Sequence, residues 1–350
     1  MQRVAAERLT TEIRGLSLRE LDAIGPQWRE LERVSAPPHY SLAHAWLVAW
    51  ATVYRPHGLL LVRVSSTRGT ARALGLIEVQ PGRRWRFAGG AVTPARRLLC
   101  DPVSERAVWT AWGTWLAEHR SRWSILEAGG VPEAAAAVPG ATLEPVPDFA
   151  LSLPDSFDAY LAGRSSGTRR GLRQKLNRLG RFDAAVREVA RPEHAAALRR
   201  FVTLHGARAA QKGERHPSVD TRLVELLLSL GGASEGAPRL RLFELTAGER
   251  AVGVSVRLDH GTTGYFYNAG FDPAAAAMSP GIVLELVSIR NAIETGLTCF
   301  DLGPGDHRYK RDLGGERRTA SRLVATSRSP LGALAQAAYR VRRAVRARRA

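Results

Sequence analysis

Two stretches of this chain repeat one order of elements, and that duplication narrows the possible folds more than any other feature. Leu59 to Val64, Ala73 to Val79 and Trp85 to Ala88 read as three short strands. Leu240 to Thr246, Ala251 to Asp259 and Thr263 to Ala269 read the same way, with Gly248-Glu249 and His260-Gly261 short enough for hairpin turns. Both meanders end in Ala-Gly, at Ala88-Gly89 and Ala269-Gly270. Before the first meander come a strand, Leu9 to Ile13, and a helix, Leu18 to Leu31, with apolar residues at helical spacing. Pro37-Pro38 breaks the chain there, and Ser41 is placed to cap a helix over Leu42 to Val53. After the meander come a helix, Glu105 to His119, and a strand, Trp123 to Glu127. The second half follows suit. A strand at Phe149 to Leu153 leads into helices at Ser156 to Leu161 and Thr168 to Leu179, a strand at Ala184 to Val189, a helix from Pro192 to about Lys212, and another over Thr221 to Leu230. The meander is then followed by a helix, Gly281 to Thr295, and a strand, Thr298 to Leu302.

With 350 residues, the expectation is an α+β protein of two related domains, 1–147 and 148–328, each a mixed, mostly antiparallel sheet flanked by helices. Residues 129–147 read as a connector, Arg322 to Thr326 as an edge strand, and 329–350 as a basic C-terminal helix or tail, with Leu331 to Arg349 helical.

Composition removes several classes of function. No stretch has the roughly 18 apolar residues that cross a bilayer, and the first ten residues are polar, so a cytoplasmic protein is expected. Two cysteines, Cys100 and Cys299, give neither a disulfide framework nor zinc spacing, and the nine histidines form no HxxxH pair, so no metal is expected. The net charge is +18, nearly all of it arginine, since lysine occurs only at 175, 212 and 310. The charge is uneven: seven basic residues and no acid from Arg164 to Arg181, ten arginines and no acid from Arg317 to Ala350. Such a field attracts phosphates, nucleic acid or anionic lipid without choosing among them. No helix-turn-helix or zinc pattern points to specific DNA binding.

The chemistry concentrates after the second meander. Tyr267-Asn268-Ala269-Gly270 ends a strand, Met278-Ser279-Pro280-Gly281 forms a loop, and a helix with a broad apolar face follows. The free N–H groups and dipole of a helix start bind phosphate, and a glycine lets a ligand approach the backbone. Further on, Asp306-His307-Arg308-Tyr309-Lys310 gathers proton-transferring and cationic side chains in one short segment.

These segments, with Phe300-Asp301-Leu302-Gly303 and the basic stretch Ser166 to Arg178, resemble the GNAT acyltransferase superfamily. The nearer match is its BioF2-like or CelD-like branch, associated with cellulose and exopolysaccharide synthesis; the chain is also similar to FemAB-type peptidyltransferases, built from two GNAT units. The resemblance implies tandem GNAT-like domains with a sheet splayed beside the third meander strand. Acetyl-CoA or another acyl-CoA would lay its pantetheine arm along Tyr267 to Gly270 like an added strand. Its diphosphate would rest on Met278, Ser279 and Gly281, although Pro280 removes one donor. The first half has Thr93 to Pro102 where the second has its Ser-Pro-Gly loop, so only the second half is expected to bind CoA.

Acyl transfer needs a neutral nucleophile and charge relief on the leaving group. Tyr309 is placed to protonate the leaving thiolate, Asp306 or His307 to take the nucleophile's proton, and Lys310 to hold an oxyanion or acidic acceptor. Asp301 reads equally as a base or a structural cap. Arg169, Arg170 and Arg173 lie away from the leucine face of their helix and suit a phosphate- or carboxylate-bearing acceptor. The function expected is acyl transfer from acyl-CoA to an amine or hydroxyl of a small molecule or saccharide, as in a polysaccharide or cell-envelope precursor. Two alternatives stand: aminoacyl transfer from charged tRNA, and a non-catalytic role in an exopolysaccharide or membrane assembly. Residues 331–349 pair apolar side chains with arginines, a composition suited to an anionic membrane surface.

Overall fold

The computed structural model describes residues 8–35, 39–211, 213, 219–232 and 236–347; Pro37-Pro38 and Lys212 lie outside them. The chain divides into two compact units, Met1–Val146 with Ala320–Ala350, and Pro147–Thr319. Both divisions fall inside strands, and the C-terminal helix belongs to the first unit.

The first unit contains β1 (Leu9–Gly15), α1 (Leu18–Ala23), α2 (Gly25–Val34), α3 (His44–Tyr54), β2 (Leu59–Ser66), β3 (Ala71–Gln80), β4 (Arg84–Phe87), β5 (Leu99–Cys100), α4 (Glu105–Glu118) and β6 (Ile125–Val131). The meander is the expected one, with β1 antiparallel to β2, β2 to β3, and β3 to β4. Its core forms where α4 lays Val108, Trp109, Trp112 and Leu116 on the inward residues of the sheet, including Val62, Ile77, Trp85 and Phe87. The predicted single helix over Leu18 to Leu31 is two helices, because Pro26 sits in the first turn of α2 and cannot continue α1. Ser41 is not a helix cap. It lies in a short 3-10 turn and donates to the Ala95 carbonyl at 2.8 Å, while α3 starts after Ala43 without a side-chain cap.

The predicted connector 129–147 is more ordered than its Gly, Pro and Ala content indicated. β6 runs on to Val131, and β7 spans Ala141–Ser152. β4 and β6 are parallel as far as Arg86 and Glu127. Beyond that point the edge of β6 is occupied by the chain itself: the N–H of Arg96 donates to the Gly129 carbonyl at 2.8 Å, and the N–H of Gly129 donates back at 2.9 Å.

The second unit continues with α5 (Phe157–Ala162), α6 (Ser166–Arg178), β8 (Ala184–Glu188), α7 (His194–Gln211), α8 (Thr221–Ser229), β9 (Arg239–Ala247), β10 (Arg250–His260), β11 (Thr263–Phe271), α9 (Pro280–Glu294), β12 (Cys299–Pro304) and α10 (Arg308–Asp312). Its strand order is β7-β12-β11-β10-β9-β8, antiparallel except for β11 beside β12. The helix α9 is buried along most of its length, packing Leu286, Ile289 and Ile293 against Phe300, Leu302 and Phe149, and Leu284 against Phe243 and Leu245.

The last elements are β13 (Glu316–Thr326) and α11 (Pro330–Ala347). The predicted edge strand Arg322 to Thr326 is not an edge. Ser321 to Thr326 run antiparallel to β6 in the first unit. Among the described residues, no helix is long and apolar enough to cross a membrane.

Candidate functional site

The parallel pairing of β11 with β12 covers only Thr263, Gly264 and Tyr265, opposite Cys299, Phe300 and Asp301. β11 runs six residues further, so one edge of 266–271 has no strand beside it among the described residues. On its other side β11 stays paired with β10, but the register jumps between Val256 opposite Asn268 and Arg257 opposite Phe266. Tyr267 is the extra residue of this bulge, and bulges of this kind re-aim a strand next to a site. Helix α7 crosses β11 at Gly270, where a Cβ would lie 2.6 Å from both the Phe201 carbonyl oxygen and the His205 nitrogen. Only glycine permits that approach.

The start of α9 faces the opened edge. Ser279 precedes it in the left-handed conformation, with φ of 53°, uncommon for a side chain other than glycine. Val283 bonds back to Ser279 at 3.1 Å, and no side chain caps the helix. The N–H groups of Gly281 and Ile282 therefore keep the orphan character of a helix start.

A cavity of about 340 Å³ connects these features. Ser279, Gly281 and Arg208 line it at the helix start, Ala269 and Phe266 along β11, and Glu285 and Tyr309 at its inner part. Arg208 comes from α7 and stacks its guanidinium 4.4 Å from the centre of the Phe271 ring. On the ring's other contact, a Cβ at Gly281 would come within 3.3 Å of Phe271. Arg178, at the end of α6, donates to the carbonyl of Ala277 at 3.3 Å, two residues before Ser279. The positive charge absent from the loop itself is thus supplied by α6 and α7.

Glu285 is buried within α9, and its Oε1 accepts from the Ser255 hydroxyl at 2.9 Å. Its Oε2 is buried without a hydrogen-bond partner. Burial pushes this carboxyl up to about 8, against the pull of Ser255, Arg257 and Lys310. Burial also raises the Tyr309 hydroxyl, with Glu285 adding to it, so Tyr309 holds its proton firmly.

The segment 306–310 divides. Tyr309 lines the cavity. His307 stands at the N-cap position of α10 without a side-chain capping bond, and stacks on Tyr309 with ring centres 5.9 Å apart. Asp306 is exposed and pairs with Arg311. Lys310 is turned inward: its ammonium donates to the carbonyls of Gly303 and Pro304, each at 2.7 Å, and burial lowers its pKa. That ammonium holds the last two residues of β12. Asp301 accepts from the Gly303 N–H at 2.7 Å and shares Arg318 with Asp148. Burial raises both acids, and the Asp301 carboxyl adds to the rise at Asp148.

Of the expected donor-binding residues, Ala269, Ser279 and Gly281 line the cavity. The Met278 side chain packs into the core beside Phe243 and Leu245 instead. The Asn268 amide lies 3.3 Å from His205, and the Ala269 N–H donates to the Asn268 side chain at 2.8 Å. Arg169, Arg170 and Arg173 line a separate concavity of about 520 Å³ with Arg178 and Arg181. Sequence reasoning missed Arg208, Phe271 and Glu285. The last had a signal: it is a lone acid inside Ile282-Val283-Leu284-Glu285-Leu286-Val287.

Among the described residues, no cluster of three or more histidine, cysteine, aspartate or glutamate side chains could hold a metal ion.

An opened sheet beside an uncapped helix start is the arrangement of the GNAT fold, and the comparisons agree. Residues 166–311 match the family model described as an acetyltransferase (GNAT) domain. In structure, the chain is similar to FemX, with 12% identity, a TM-score of 0.63, and coverage of 92% of this chain and 99% of that one. It is similar to the C-terminal domain of a putative lysylphosphatidylglycerol synthetase from Agrobacterium fabrum, at 14% identity and a TM-score of 0.56, over 90% of this chain and 95% of that one. A tandem GNAT protein from the clavulanic acid biosynthesis pathway aligns at 15% identity and a TM-score of 0.54, over 91% and 99% of the two chains. No curated protein matches the chain in sequence. The chain has the fold of tandem GNAT units, and its residues 166–311 match the acetyltransferase (GNAT) domain.

Proposed function

We propose that the second unit transfers an acyl group from acyl-CoA to an amine or hydroxyl of a polysaccharide or cell-envelope precursor. The observation that carries this reading is the single cavity leading from the free N–H groups at the start of α9 to Tyr309. A thioester donor fits that path. Its diphosphate lies against Gly281 and Ile282, flanked by Arg208 and Arg178, and its arm runs along the open edge of β11. The thioester then reaches the inner end, where the amine or hydroxyl bonds to the thioester carbon, the C–S bond breaks, Tyr309 gives its proton to the departing thiolate, and the proton lost by the nucleophile restores the tyrosine hydroxyl. Acidic groups of the acceptor suit the arginines of α6.

Thermal-shift measurements across acetyl-CoA and longer acyl-CoAs test the donor. A ligand that binds only the folded protein raises its melting temperature. The shift should vanish in Arg208→Glu and in Gly281→Glu. No shift with any acyl-CoA would remove the reading.

One observation favours aminoacyl transfer from tRNA instead. Arg169, Arg170, Arg173 and Arg178 on α6, with Arg181 just beyond it, form a row with one loose acid partner among the described residues, Asp158, at 3.9 Å from Arg173. A row of this kind suits a polyanion longer than CoA, whose binding would weaken steeply with salt. Salt-sensitive tRNA binding with no response to acyl-CoA would select this alternative.

The C-terminal helix α11 exposes Leu331 and Leu334 near its start, and its sequence is rich in arginine. That supports a position at the inner face of an anionic membrane, which co-sedimentation with phosphatidylglycerol vesicles tests.

A further inference from the structure

Glu285 lies inside α9 with 2% of its surface exposed, in the wall of the cavity that holds Tyr309. A glutamate this deep normally has a cation or several donors around it. Here one donor is present, the Ser255 hydroxyl on Oε1, and Oε2 has none.

The charged groups around it are committed elsewhere. On β10, Arg257 is held by both oxygens of Asp259, by Ser288 and by Asn291. On α10, Lys310 is held by the carbonyls of Gly303 and Pro304, and Tyr309 contributes a neutral hydroxyl. On α5, the Tyr160 hydroxyl donates to the Leu313 carbonyl. On α7, Arg208 lies over Phe271. None of these forms an ion pair with Glu285. With its carboxyl near 8, Glu285 keeps its proton at neutral pH. Ser255 already donates to Oε1, so the carboxyl's own O–H belongs on the unpartnered Oε2 of a side chain that lines the cavity.

We propose that Glu285 binds the acyl donor as a neutral carboxylic acid, its Oε2–H donating to a carbonyl oxygen of the donor's arm, amide or thioester. No bond is made or broken in this step. The proton stays on Glu285, so donor binding is linked to one proton. The inference rests on the acyl-CoA reading above and adds to it a specific contact and a pH dependence.

The test is calorimetric titration of the full chain with acetyl-CoA from pH 6.5 to 9.5. For the wild type, affinity should hold up to about pH 7.5 and fall about tenfold per unit once Glu285 ionises, near pH 8. Glu285→Gln keeps an N–H donor in the same place. It should bind within about threefold of wild type at pH 7 and lose that fall, since its amide does not titrate. A second measurement uses the wild type alone. At pH 8, binding heats in two buffers of different ionisation enthalpy should reveal uptake of about half a proton. Coincident pH profiles for wild type and Glu285→Gln, or no proton uptake at pH 8, overturn the inference. If acetyl-CoA still binds and Arg208→Glu still abolishes binding, the donor reading survives that result. Absence of acetyl-CoA binding at every pH overturns both.

Discussion

Tyr265 and Asp301 face each other in the last parallel pair between β11 and β12, and beyond them the two strands share no register. The opening that results is maintained from outside the sheet. On the far side of β11, α7 presses against Gly270; on the near side, Lys310 holds the last two residues of β12.

The α7 contact gives a first prediction. Gly270→Ala would place a methyl group 2.6 Å from two backbone atoms of α7, so the helix must move and carry Arg208 with it. Overpacking of this kind costs about 1–3 kcal/mol, readable in urea unfolding. Acetyl-CoA affinity should fall as well. Gly281→Ala meets only an edge atom of the Phe271 ring at 3.3 Å, and should cost less stability than Gly270→Ala.

Tyr309 is the acid in the proposed mechanism, and its raised hydroxyl pKa keeps it protonated across the working range. Tyr309→Phe retains the ring packing and removes the proton. Turnover of acetyl-CoA, followed as released thiol, should fall by about a hundredfold or more, in the range typical of a lost general acid. Donor affinity by calorimetry should stay within about twofold. A parallel loss of both would make Tyr309 a binding residue only.

Much of this architecture was legible because local signals agreed. The three strands from Leu240 to Ala269 alternate and turn at Gly248-Glu249 and His260-Gly261, and the structure has β9, β10 and β11 there. The start of α9 was marked by Ser279-Pro280-Gly281. What stayed hidden depended on contacts distant in sequence. Arg208 lies some 70 residues before Ser279 and reaches the site only because α7 crosses β11. The β10 face made by Ser255, Arg257 and Asp259 alternates like a solvent-facing surface, yet it is buried under α9. Lys310 reads from the sequence as the holder of an oxyanion or acidic acceptor, and only the carbonyls of Gly303 and Pro304 explain its burial.

Glu285 also predicts how stability varies with pH. Its carboxyl stands near 8 in the folded protein and near 4.5 when exposed. Between these values the folded state holds a proton that the unfolded state has lost. Stability therefore falls as pH rises through this window, by about 1.4 kcal/mol per unit from this group, and levels off above it. Asp148, pushed up to about 6, contributes with the same sign at the lower end. Comparing unfolding free energies from pH 5 to 8 isolates Glu285. Glu285→Gln should gain on the wild type by roughly 1 kcal/mol per unit. A constant difference would mean the carboxyl is ionised throughout.

Arg257 sets how α9 sits on the sheet. Its guanidinium is fully buried, donates to Asp259 at 2.7 and 3.0 Å, and reaches α9 through the Ser288 carbonyl and the Asn291 side chain. The Phe243 ring lies 5.1 Å away. Asn291 in turn donates to Glu188, which also pairs with Arg241. Removing one member leaves the others charged and buried. Arg257→Met should destabilise by about 3–5 kcal/mol, because Asp259 keeps only Arg241 at 3.4 Å. Arg257→Met combined with Asp259→Leu should recover much of that loss, since a buried pair replaced as a whole by apolar side chains is often near neutral. The double variant separates stability from positioning. If the network's role is to register α9, the double variant will fold well but bind acetyl-CoA more weakly, as the first turn of α9 shifts relative to Arg208. Restored stability with unchanged affinity would show that apolar packing alone places the helix.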